Sequence, residues 1–392
     1  MDEQRKSESE LVPALRFEGF TDPWEQRKLG EIAHRVTRKN EEGASDLPLT
    51  ISAQHGLVDQ RDFFGSQVAS RDMRGYYLLE KGEFAYNKST SGDSPWGAVK
   101  RLARYEKGCL STLYICFGLD VGDPSFLVTY YETNRWHKGI RLIAAEGARN
   151  HGLLNIAPRD FFETELTLPG EIEEQSRIGA LFARLDSLIA LHQRKYEKLK
   201  TVKQSLLEKM FPKEGEDVPE LRFEGFTDPW EQRKLGEVVD VHNGKDYKHL
   251  KPGSIPVYGT GGLMTYVDDA LSKNEDAVGV GRKGTIDQPY KLRAPFWTVD
   301  TLFYAVPKAG NDIEFVLCCF QRINWKAKDE STGLPSLSKS AINNTRLLTP
   351  RSGEQVRIGA LFAKIDSLIA LHQRELEILK NLKKALLEKM FV

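Results

Sequence analysis

The chain repeats itself, and this repeat limits the folds it can adopt more than any other feature of the sequence. The seventeen residues LRFEGFTDPWEQRKLGE, Leu15–Glu31, recur letter for letter at Leu221–Glu237, an offset of 206 residues (221 − 15). RIGALFA recurs from Arg177 at Arg357, an offset of 180 residues (357 − 177), and DSLIALHQR and LLEKMF recur with the same offset. The layout is therefore a short block, a variable segment and a long helix, followed by the same order again.

Identical parts that frame unlike parts have a physical meaning. The parts that repeat must meet the same surface twice, whereas the parts that differ must meet different surfaces. We therefore predict two variable domains, residues 1–170 and 214–352, and two conserved helices, residues 171–213 and 353–392.

Local chemistry predicts a helix within the short block. Asp22 is suited to cap this helix and Glu25 to complete a capping box, and Gly30 can end the helix in a left-handed conformation. Trp24 and Leu29 are expected to pack the helix against its domain. We interpret the block as a docking element without a direct part in recognition.

The long repeated segments predict two helices, each about 60 Å long. From about Glu171 to Phe211 there is no proline, and the only glycine is Gly179, near the start. Apolar residues recur in alternating steps of four and three, which is the heptad pattern of a coiled coil. The predicted seam consists of Ile178, Phe182, Leu185, Ile189, His192, Tyr196 and Leu199 in the first helix, and of Ile358, Phe362, Ile365, Ile369, His372, Leu376 and Leu379 in the second.

A single helix of this length would leave its seam in water, so we expect the two copies to pair. Lys203 and Lys383 continue the seam and are expected to snorkel or to help set the register. Further apolar residues lie beside the seam, namely Leu181, Leu188, Val202, Leu361, Leu368 and Leu382. This surplus suggests contact with helices of another protein, although a domain that packs back on its own helix would also use it.

His192 and His372 occupy matching positions of the seam. A metal pair and a pH switch are the functional alternatives to an ordinary packing role. Without Cys, Asp or Glu at ligand spacing we predict packing and hydrogen bonding for both histidines, and no metal site.

The variable segments, about residues 32–163 and 238–344, are predicted to consist of short strands broken by glycine-rich turns. In both segments a strand leads into a polar, basic turn, and a second aromatic strand follows. The predicted strands are GYYLLEKGEFAYN, CLSTLYICFGL and SFLVTYYE in the first segment, and IPVYGTGG, DAVGVGRKGTI, FWTVDTLFYAV and IEFVLCCF in the second.

Polar and basic loop residues are the best candidates for contact with a nucleic acid. Lys, Arg, Ser and Thr side chains fix phosphates, and Arg or Lys can read guanine in the major groove. The candidates are Lys88, Ser89, Lys100, Arg101 and Arg104 in the first segment, Arg282, Lys283 and Thr285 in the second, and Gln54, His55, Tyr258 and Thr260 on other polar turns.

Motifs of catalysis are missing from the sequence. There is no phosphate-binding G-x-x-x-x-G-K-[ST] loop, no dinucleotide fingerprint, no Asn/Asp-Pro-Pro-aromatic motif of amino-methyltransferases and no nuclease-like acidic cluster. We therefore predict a non-catalytic chain that binds no cofactor.

Composition favours a cytoplasmic protein that does not enter the membrane. The four cysteines show no metal-ligand or disulfide spacing and are predicted to be reduced and buried. No apolar stretch approaches the length of a membrane span, and the charged N-terminus lacks the apolar region of a signal peptide. The 56 basic and 56 acidic residues give a net charge of zero, so a DNA surface must come from local clustering or from a partner.

The order of the repeat resembles the specificity subunit (HsdS) of type I restriction–modification enzymes over essentially the whole chain. The motif R-I-x-x-L-F-x-x-L-D-x-x-I carries this resemblance most specifically, and WEQRKLGE, FAYNKS, GAVKRL and GRKGTI are similar to phrases of that family. The resemblance implies an α+β fold in which two mixed α/β target-recognition domains are separated by two long antiparallel coiled-coil helices, with a pseudo-twofold internal repeat.

The same resemblance implies partners and a division of labour. Each domain would read one half of a bipartite target in double-stranded DNA, and the chain would bind two methyltransferase (modification) subunits and the restriction/translocase subunits. S-adenosylmethionine, ATP and magnesium would belong to these partners. Two alternatives remain: a tandem coiled-coil adaptor whose variable domains bind proteins, and an enzyme with its site in the glycine-rich loops. A neighbouring gene with adenine-methyltransferase motifs would argue against both.

Overall fold

The computed structural model of the chain describes residues 11–52, 56–65, 69–70, 72–92, 94–144, 152–329 and 331–392. The chain divides into two compact units. The first consists of Met1–Leu191 and Leu376–Val392, and the second of His192–Glu375. Each long helix therefore contributes one part to each unit. The division into domains predicted from the repeat, with limits at residues 170, 213 and 352, stays a prediction.

The first unit combines short strands with short helices. Its strands are β1 (Glu25–Lys28), β2 (Ala33–Arg35), β3 (Leu49–Ser52), β4 (Gly56–Asp59), β5 (Tyr77–Glu80), β6 (Phe84–Asn87), β7 (Ala98–Arg101), β8 (Lys107–Leu110), β9 (Ile115–Leu119) and β10 (Glu165–Leu168). Its helices are α1 (Leu29–Ile32), α2 (Gln60–Phe64), α3 (Pro124–Tyr130), α4 (His137–Ile143), α5 (Pro158–Phe162), the first part of α6 (Ile172–Lys209) and the last part of α10 (Ser352–Met390).

The main sheet of the first unit has the strand order β2-β9-β6-β7, with antiparallel neighbours. On one face Phe84 stacks on Phe117 with ring centroids 5.2 Å apart, and Tyr86 stacks on Phe161 at 4.7 Å. Ala85 points to the other face and joins a second buried cluster. Because both faces are covered, Phe84–Tyr86 of β6 and all of β9 are apolar rather than alternating.

The second unit also combines short strands with short helices. Its strands are β11 (Glu231–Lys234), β12 (Val239–Asn243), β13 (Pro252–Gly259), β14 (Gly262–Val267), β15 (Ala277–Gly281), β16 (Tyr290–Leu292), β17 (Trp297–Thr298), β18 (Leu302–Pro307) and β19 (Arg346–Thr349). Its helices are the last part of α6, α7 (Leu235–Val238), α8 (Ile313–Arg322), α9 (Lys339–Asn343) and the first part of α10 (Ser352–Met390), with a 3-10 turn at Trp325–Lys328.

The two units share a scaffold and differ in what is added to it. The main sheet of the second unit has the order β12-β18-β15-β16, so β15 takes the place of β6 and β18 that of β9. The repeated sequence EQRK forms β1 and β11, which pair with β10 and β19 in the same way. The additions are the pairs β3-β4 and β5-β8 in the first unit and the sheet β14-β13-β17 in the second.

Two of the predicted strands are wrong. SFLVTYYE lies largely in α3, and IEFVLCCF lies in α8. Asp123 caps α3 through the N–H groups of Ser125 and Phe126, and Asp312 caps α8 through that of Phe315. A short apolar segment that is buried on all sides has the same sequence pattern in a strand and in a helix. Here the capping aspartate before each segment distinguishes the helix from the strand. The other predicted strands are confirmed, within shifted limits.

The helix predicted for the short block is also wrong. Glu25–Lys28 forms β1, and helical structure begins only at Leu29, so Gly30 lies inside α1. The partner of β1 is β10, 137 residues further along the chain (165 − 28), and a local capping pattern carries no information about such a partner. Trp24 and Leu29 are buried, as predicted.

The two long helices are confirmed, and every residue of the predicted seam is buried or half-buried. In the first unit Phe182 of α6 packs against Phe391, directly after α10, with ring centroids 6.0 Å apart. In the second unit Phe362 of α10 packs against Phe211, which follows α6, at 6.3 Å. Each unit thus pairs the start of one helix with the end of the other, so the helices run antiparallel within it.

The four cysteines are buried and form no disulfide, as predicted. Burial raises the pKa of the thiols of Cys116 and Cys319 to about 12, which keeps them protonated and unreactive at neutral pH. Among the described residues, no helix is long and apolar enough to cross a membrane.

Candidate nucleic-acid interface and helix pair

The loop Gly281–Thr285, which follows β15, is a tight turn that presents basic side chains. Gly284 has a φ of +89°, and a Cβ on Gly281 would overlap the carbonyl oxygen of Thr285, so both positions require glycine. The backbone N–H groups of Arg282 and Lys283 donate to the carbonyl oxygen of Thr301, at 2.8 and 3.3 Å. The side chains of Arg282, Lys283 and Thr285 are exposed. The fixed backbone therefore holds two cations and a hydroxyl towards solvent, which suits contact with phosphates or bases.

The first unit fastens the loop after β6 in the same way. Ser89 forms a bridge with Leu153, and the corresponding bridge of the second unit joins Lys283 to Ser336. Both loops directly follow a strand, β6 or β15, as the sequence predicted. The segments that hold the loops, each just before a short helix, were not singled out in the sequence, because no local pattern marks a bridge to a distant loop.

Lys88 and Arg282 take matching places in these loops but differ in exposure. The Nζ atom of Lys88 lies 3.5 Å from the carbonyl oxygen of Ile156, and burial lowers the pKa of this lysine. Arg282 is exposed, with its guanidinium 5.8 Å from the ring centroid of Phe303. The cation of the second loop is thus the better placed of the two to meet a ligand.

The basic residues around β7 do not form one group. Lys100 lies opposite Ala85 and Arg101 opposite Phe84, so their side chains point to opposite faces of the sheet. The Nε atom of Arg101 donates to the carbonyl oxygen of Gly82 at 3.2 Å, which gives this side chain a structural role. Arg104, beyond the end of β7, is exposed.

The turn between β13 and β14 lies beside the loop Gly281–Thr285. The Oγ1 atom of Thr260 is 4.0 Å from the position that a Cβ of Gly284 would take, so the structure brings these predicted contact residues together. Tyr258 is half-buried and packs near the ring of Tyr290, at 6.1 Å, so it serves the packing of the hairpin. Gln54 and His55 lie outside the described residues. The DNA-binding role of every residue in this group stays a prediction.

The seam lysines form ion pairs between the helices. In the first unit Nζ of Lys383 lies 2.5 Å from Oδ1 of Asp186 and 2.7 Å from Oε2 of Glu132. In the second unit Nζ of Lys203 lies 2.7 Å from Oδ1 of Asp366. Burial by itself lowers the pKa of Lys383, but the two carboxylates outweigh it and the pKa is raised. The lysines therefore set the register by pairing with the opposite helix.

The repeated block is anchored to the start of each long helix by a buried ion pair. Arg16 and Glu174 make two hydrogen bonds, of 2.6 and 2.7 Å, and Arg222 and Glu354 make two, of 2.8 and 2.7 Å. Both glutamates are buried, and these hydrogen bonds raise the pKa of each arginine. This anchor explains why the block and the helix repeat together. Its partners lie too far apart in the chain for the sequence to have linked them.

His192 and His372 meet across the helix pair, with 3.1 Å between their Nδ1 atoms. A third group that the sequence interpretation missed joins them. Oε2 of Glu375 lies 2.7 Å from Nδ1 of His192 and 3.2 Å from Nδ1 of His372. The prediction of no metal site depended on the absence of a carboxylate at ligand spacing, and this premise is wrong. The signal was present as His-x-x-Glu, one helical turn, in the second copy only.

Part of the chain is similar to known proteins of one family. Residues 227–381 match the family model described as type I restriction modification DNA specificity domain. The chain is 22% identical over 272 residues to the type I restriction enzyme MjaVIII specificity subunit of Methanocaldococcus jannaschii. That alignment covers 60% of this chain and 63% of the relative, so the chain spans less than two thirds of the length of this curated relative.

The fold has a close counterpart among solved structures. The crystal structure of the type I restriction-modification system S subunit from M. genitalium superposes with a TM-score of 0.68 at 16% identity, over 97% of this chain and 99% of that one. This likeness confirms the predicted fold class, α+β with two long helices. The resemblance to type I specificity subunits is borne out by the family match over residues 227–381.

Proposed function

We propose that the chain is the DNA-specificity subunit of a type I restriction–modification system. Each variable domain reads one half of a bipartite target in double-stranded DNA, and the helix pair fixes the gap between the halves. The observation that carries the proposal is the repeated scaffold: β2-β9-β6-β7 and β12-β18-β15-β16 have the same order, whereas the loops that follow β6 and β15 differ. One scaffold with two sets of loops suits two different half-sites.

The chemistry of the loops supports contact with DNA. Arg282 and Lys283 can neutralise phosphates or donate to guanine, and the hydroxyls of Thr260 and Thr285 can donate to phosphate oxygens. The loop Gly281–Thr285, which carries Arg282, Lys283 and Thr285, is fixed by backbone hydrogen bonds, so its backbone loses little freedom on binding. In the first domain Ser89 stands in the matching loop.

The charge of the chain indicates that it binds DNA with partners. A net charge of zero supplies no general attraction to a polyanion, so part of the phosphate neutralisation comes from other subunits. Two modification subunits, one for each repeat, fit the twofold scaffold, and restriction/translocase subunits complete the assembly. Apolar side chains beside the seam remain exposed for helices of such partners: Val202, Leu368 and Leu382 of the predicted set, together with Leu191, Leu371 and Ile378.

In this proposal the chain is not itself a catalyst. S-adenosylmethionine, ATP and magnesium belong to the partner subunits, and the target adenine is turned out of the duplex into the pocket of the methyltransferase. The predicted cytoplasmic location follows from the proposed DNA target.

Selection of bound DNA from a random pool tests the proposal. The chain is purified together with the methyltransferase subunit of its own system, and bound duplexes are sequenced. We expect two short fixed sequences separated by a spacer of constant length, and weak, unselective binding by the chain alone. A complex that retains proteins but enriches no DNA sequence would overturn the proposal and favour the adaptor function.

A further inference from the structure

The group His192, His372 and Glu375 has the form of a metal site that the proposed function does not use. Its three ligand atoms lie within 3.2 Å of one another, and all three residues belong to the second unit. The two imidazoles are 17% and 13% exposed and the carboxylate 39% exposed, so the group is shielded but open on one side. We propose that these three residues bind one divalent transition-metal ion of the zinc type.

The distances agree with three corners of a coordination tetrahedron. Zinc lies about 2.0–2.2 Å from imidazole nitrogen and carboxylate oxygen, so neighbouring ligand atoms in a tetrahedral site are about 3.3 Å apart. The observed separations are 2.7, 3.1 and 3.2 Å. Side-chain movements of a few tenths of an ångström would open this triangle to the required size. The solvent-exposed side of the group leaves the fourth coordination position to water.

Hydrogen bonds can satisfy at most two sides of the triangle at the same time. The Nδ1 atom of a neutral imidazole offers either one proton or one lone pair. If one of the two histidines donates to the other, each Nδ1 atom has used this single group, and neither can form a second hydrogen bond with Glu375. If both Nδ1 atoms carry protons, two N–H groups crowd one carboxylate oxygen while 3.1 Å apart. A cation at the centre would receive a lone pair from all three atoms.

The donor set decides the kind of ion. Imidazole nitrogen suits zinc, copper, nickel and iron, whereas magnesium and calcium require oxygen ligands. Two imidazoles and one carboxylate from facing helices are a ligand set that helical bundles use for metals. An ion at this position would tie α6 to α10, since His192 comes from the first helix and the other two ligands from the second.

The repeat makes the site asymmetric. His192 and His372 correspond at the offset of 180 residues, but the residue that corresponds to Glu375 is Lys195 (375 − 180). Only the second copy therefore supplies the carboxylate. Lys195→Glu would offer a fourth ligand from the matching register position of α6, and we expect it to tighten metal binding by roughly tenfold or more.

Metal titration of the full chain tests the proposal. The purified chain is stripped with a chelator and titrated with Zn²⁺ against a chromophoric competitor, and Co²⁺ serves as a spectroscopic probe of the ligands. We expect one ion per chain, a higher Tm with Zn²⁺, and an affinity at least roughly tenfold weaker in His192→Gln and Glu375→Gln. His249→Gln and Glu377→Gln, which change exposed residues of the same types, are the controls and should bind as the wild type does.

Circular dichroism of the metal-free variants checks that they fold, and Glu375→Gln is the mildest of the changes. Absence of a bound ion in the wild type, or binding that His192→Gln and Glu375→Gln leave unchanged, would overturn the proposal. This result is independent of DNA recognition, because it is measured on the isolated chain without DNA or partner subunits.

Discussion

Lys383 of α10 donates a hydrogen bond to Asp186 of α6, with 2.5 Å between Nζ and Oδ1. The repeat makes the same pair again with the helices exchanged, as Lys203 of α6 contacts Asp366 of α10. Both lysines lie on a seam that is otherwise mostly apolar, where a polar group can specify register. Displacement of either helix along its axis would break these pairs, so they select one antiparallel alignment.

Replacement of Lys383 by methionine should lower stability by about 1–2 kcal/mol at neutral pH, because Asp186 and Glu132 lose their cation. The folded chain holds the pKa of Lys383 above its ordinary value, so the stabilisation is complete below about pH 10.5 and is lost as the pH rises through the raised pKa. Urea unfolding of the wild type and Lys383→Met at several pH values measures this. Between neutral and alkaline pH, the difference should stay constant at first and shrink only as the pH rises through the raised pKa of Lys383.

The exposed neighbour Lys384 provides the matched control. Lys384→Met should change the free energy of unfolding by less than about 0.5 kcal/mol at every pH. Equal effects of the two substitutions would contradict the assignment of Lys383 to the register.

The buried pair between Arg222 and Glu354 should be essential for docking of the repeated block. Arg222→Met leaves the buried carboxylate of Glu354 without a partner, and we expect a loss of about 3–5 kcal/mol in unfolding free energy. Arg233→Met, in the same block, removes an exposed pair with Glu237 and should cost less than about 1 kcal/mol. Chemical denaturation measures the unfolding free energy of both variants. Similar losses would show that the buried pair contributes no more to stability than the exposed one.

The parts of the fold that could be predicted from the sequence are those whose cause is local or repeated. The heptad pattern located α6 and α10 to within a few residues, and identity at a fixed offset located the scaffold. The strand of the short block could not be predicted, because Glu25–Lys28 pairs with β10, more than a hundred residues away. The same distance hides the link between Arg16 and Glu174.

The candidate site was predictable only as a set of loops. The sequence identified Gly281–Thr285, since a basic turn between glycines is a local pattern. It proposed both Lys100 and Arg101 as contact residues of the first segment, whereas the alternation of β7 sends their side chains to opposite faces. Glu375 was missed because the comparison of the two copies drew attention to what they share, and this carboxylate stands where they differ.

Lys283 is expected to contact phosphate. Lys283→Ala in the complex with the methyltransferase subunit should weaken binding to all DNA sequences alike and reduce the slope of log K against log salt by about 0.9, the value for one lost phosphate contact. Fluorescence anisotropy at several salt concentrations measures both quantities. Lys308→Ala is the control, because Lys308 follows the opposite end of β18 from the loop. An unchanged slope in Lys283→Ala would place this loop away from the DNA.

Helix length should set the spacing of the half-sites. Deletion of residues 195–201 together with 375–381 removes one heptad from each helix at matching positions and allows Lys203–Asp366 and Lys383–Asp186 to form again. Each helix becomes about 10 Å shorter, which corresponds to about three base pairs of DNA. Methylation patterns should show unchanged half-sites with a shorter spacer. A spacer of the original length would show that the length of the helices does not set the spacing of the half-sites.

The central claim, that two domains of one chain read two halves of one target, is tested most directly by methylome sequencing. Cells without adenine methylation of their own would express the chain with its methyltransferase subunit, and modified bases would be mapped across the genome. The account predicts one bipartite motif with methylated adenine in both halves and a spacer of constant length. An active methyltransferase that leaves no new motif, or a single uninterrupted motif, would contradict it.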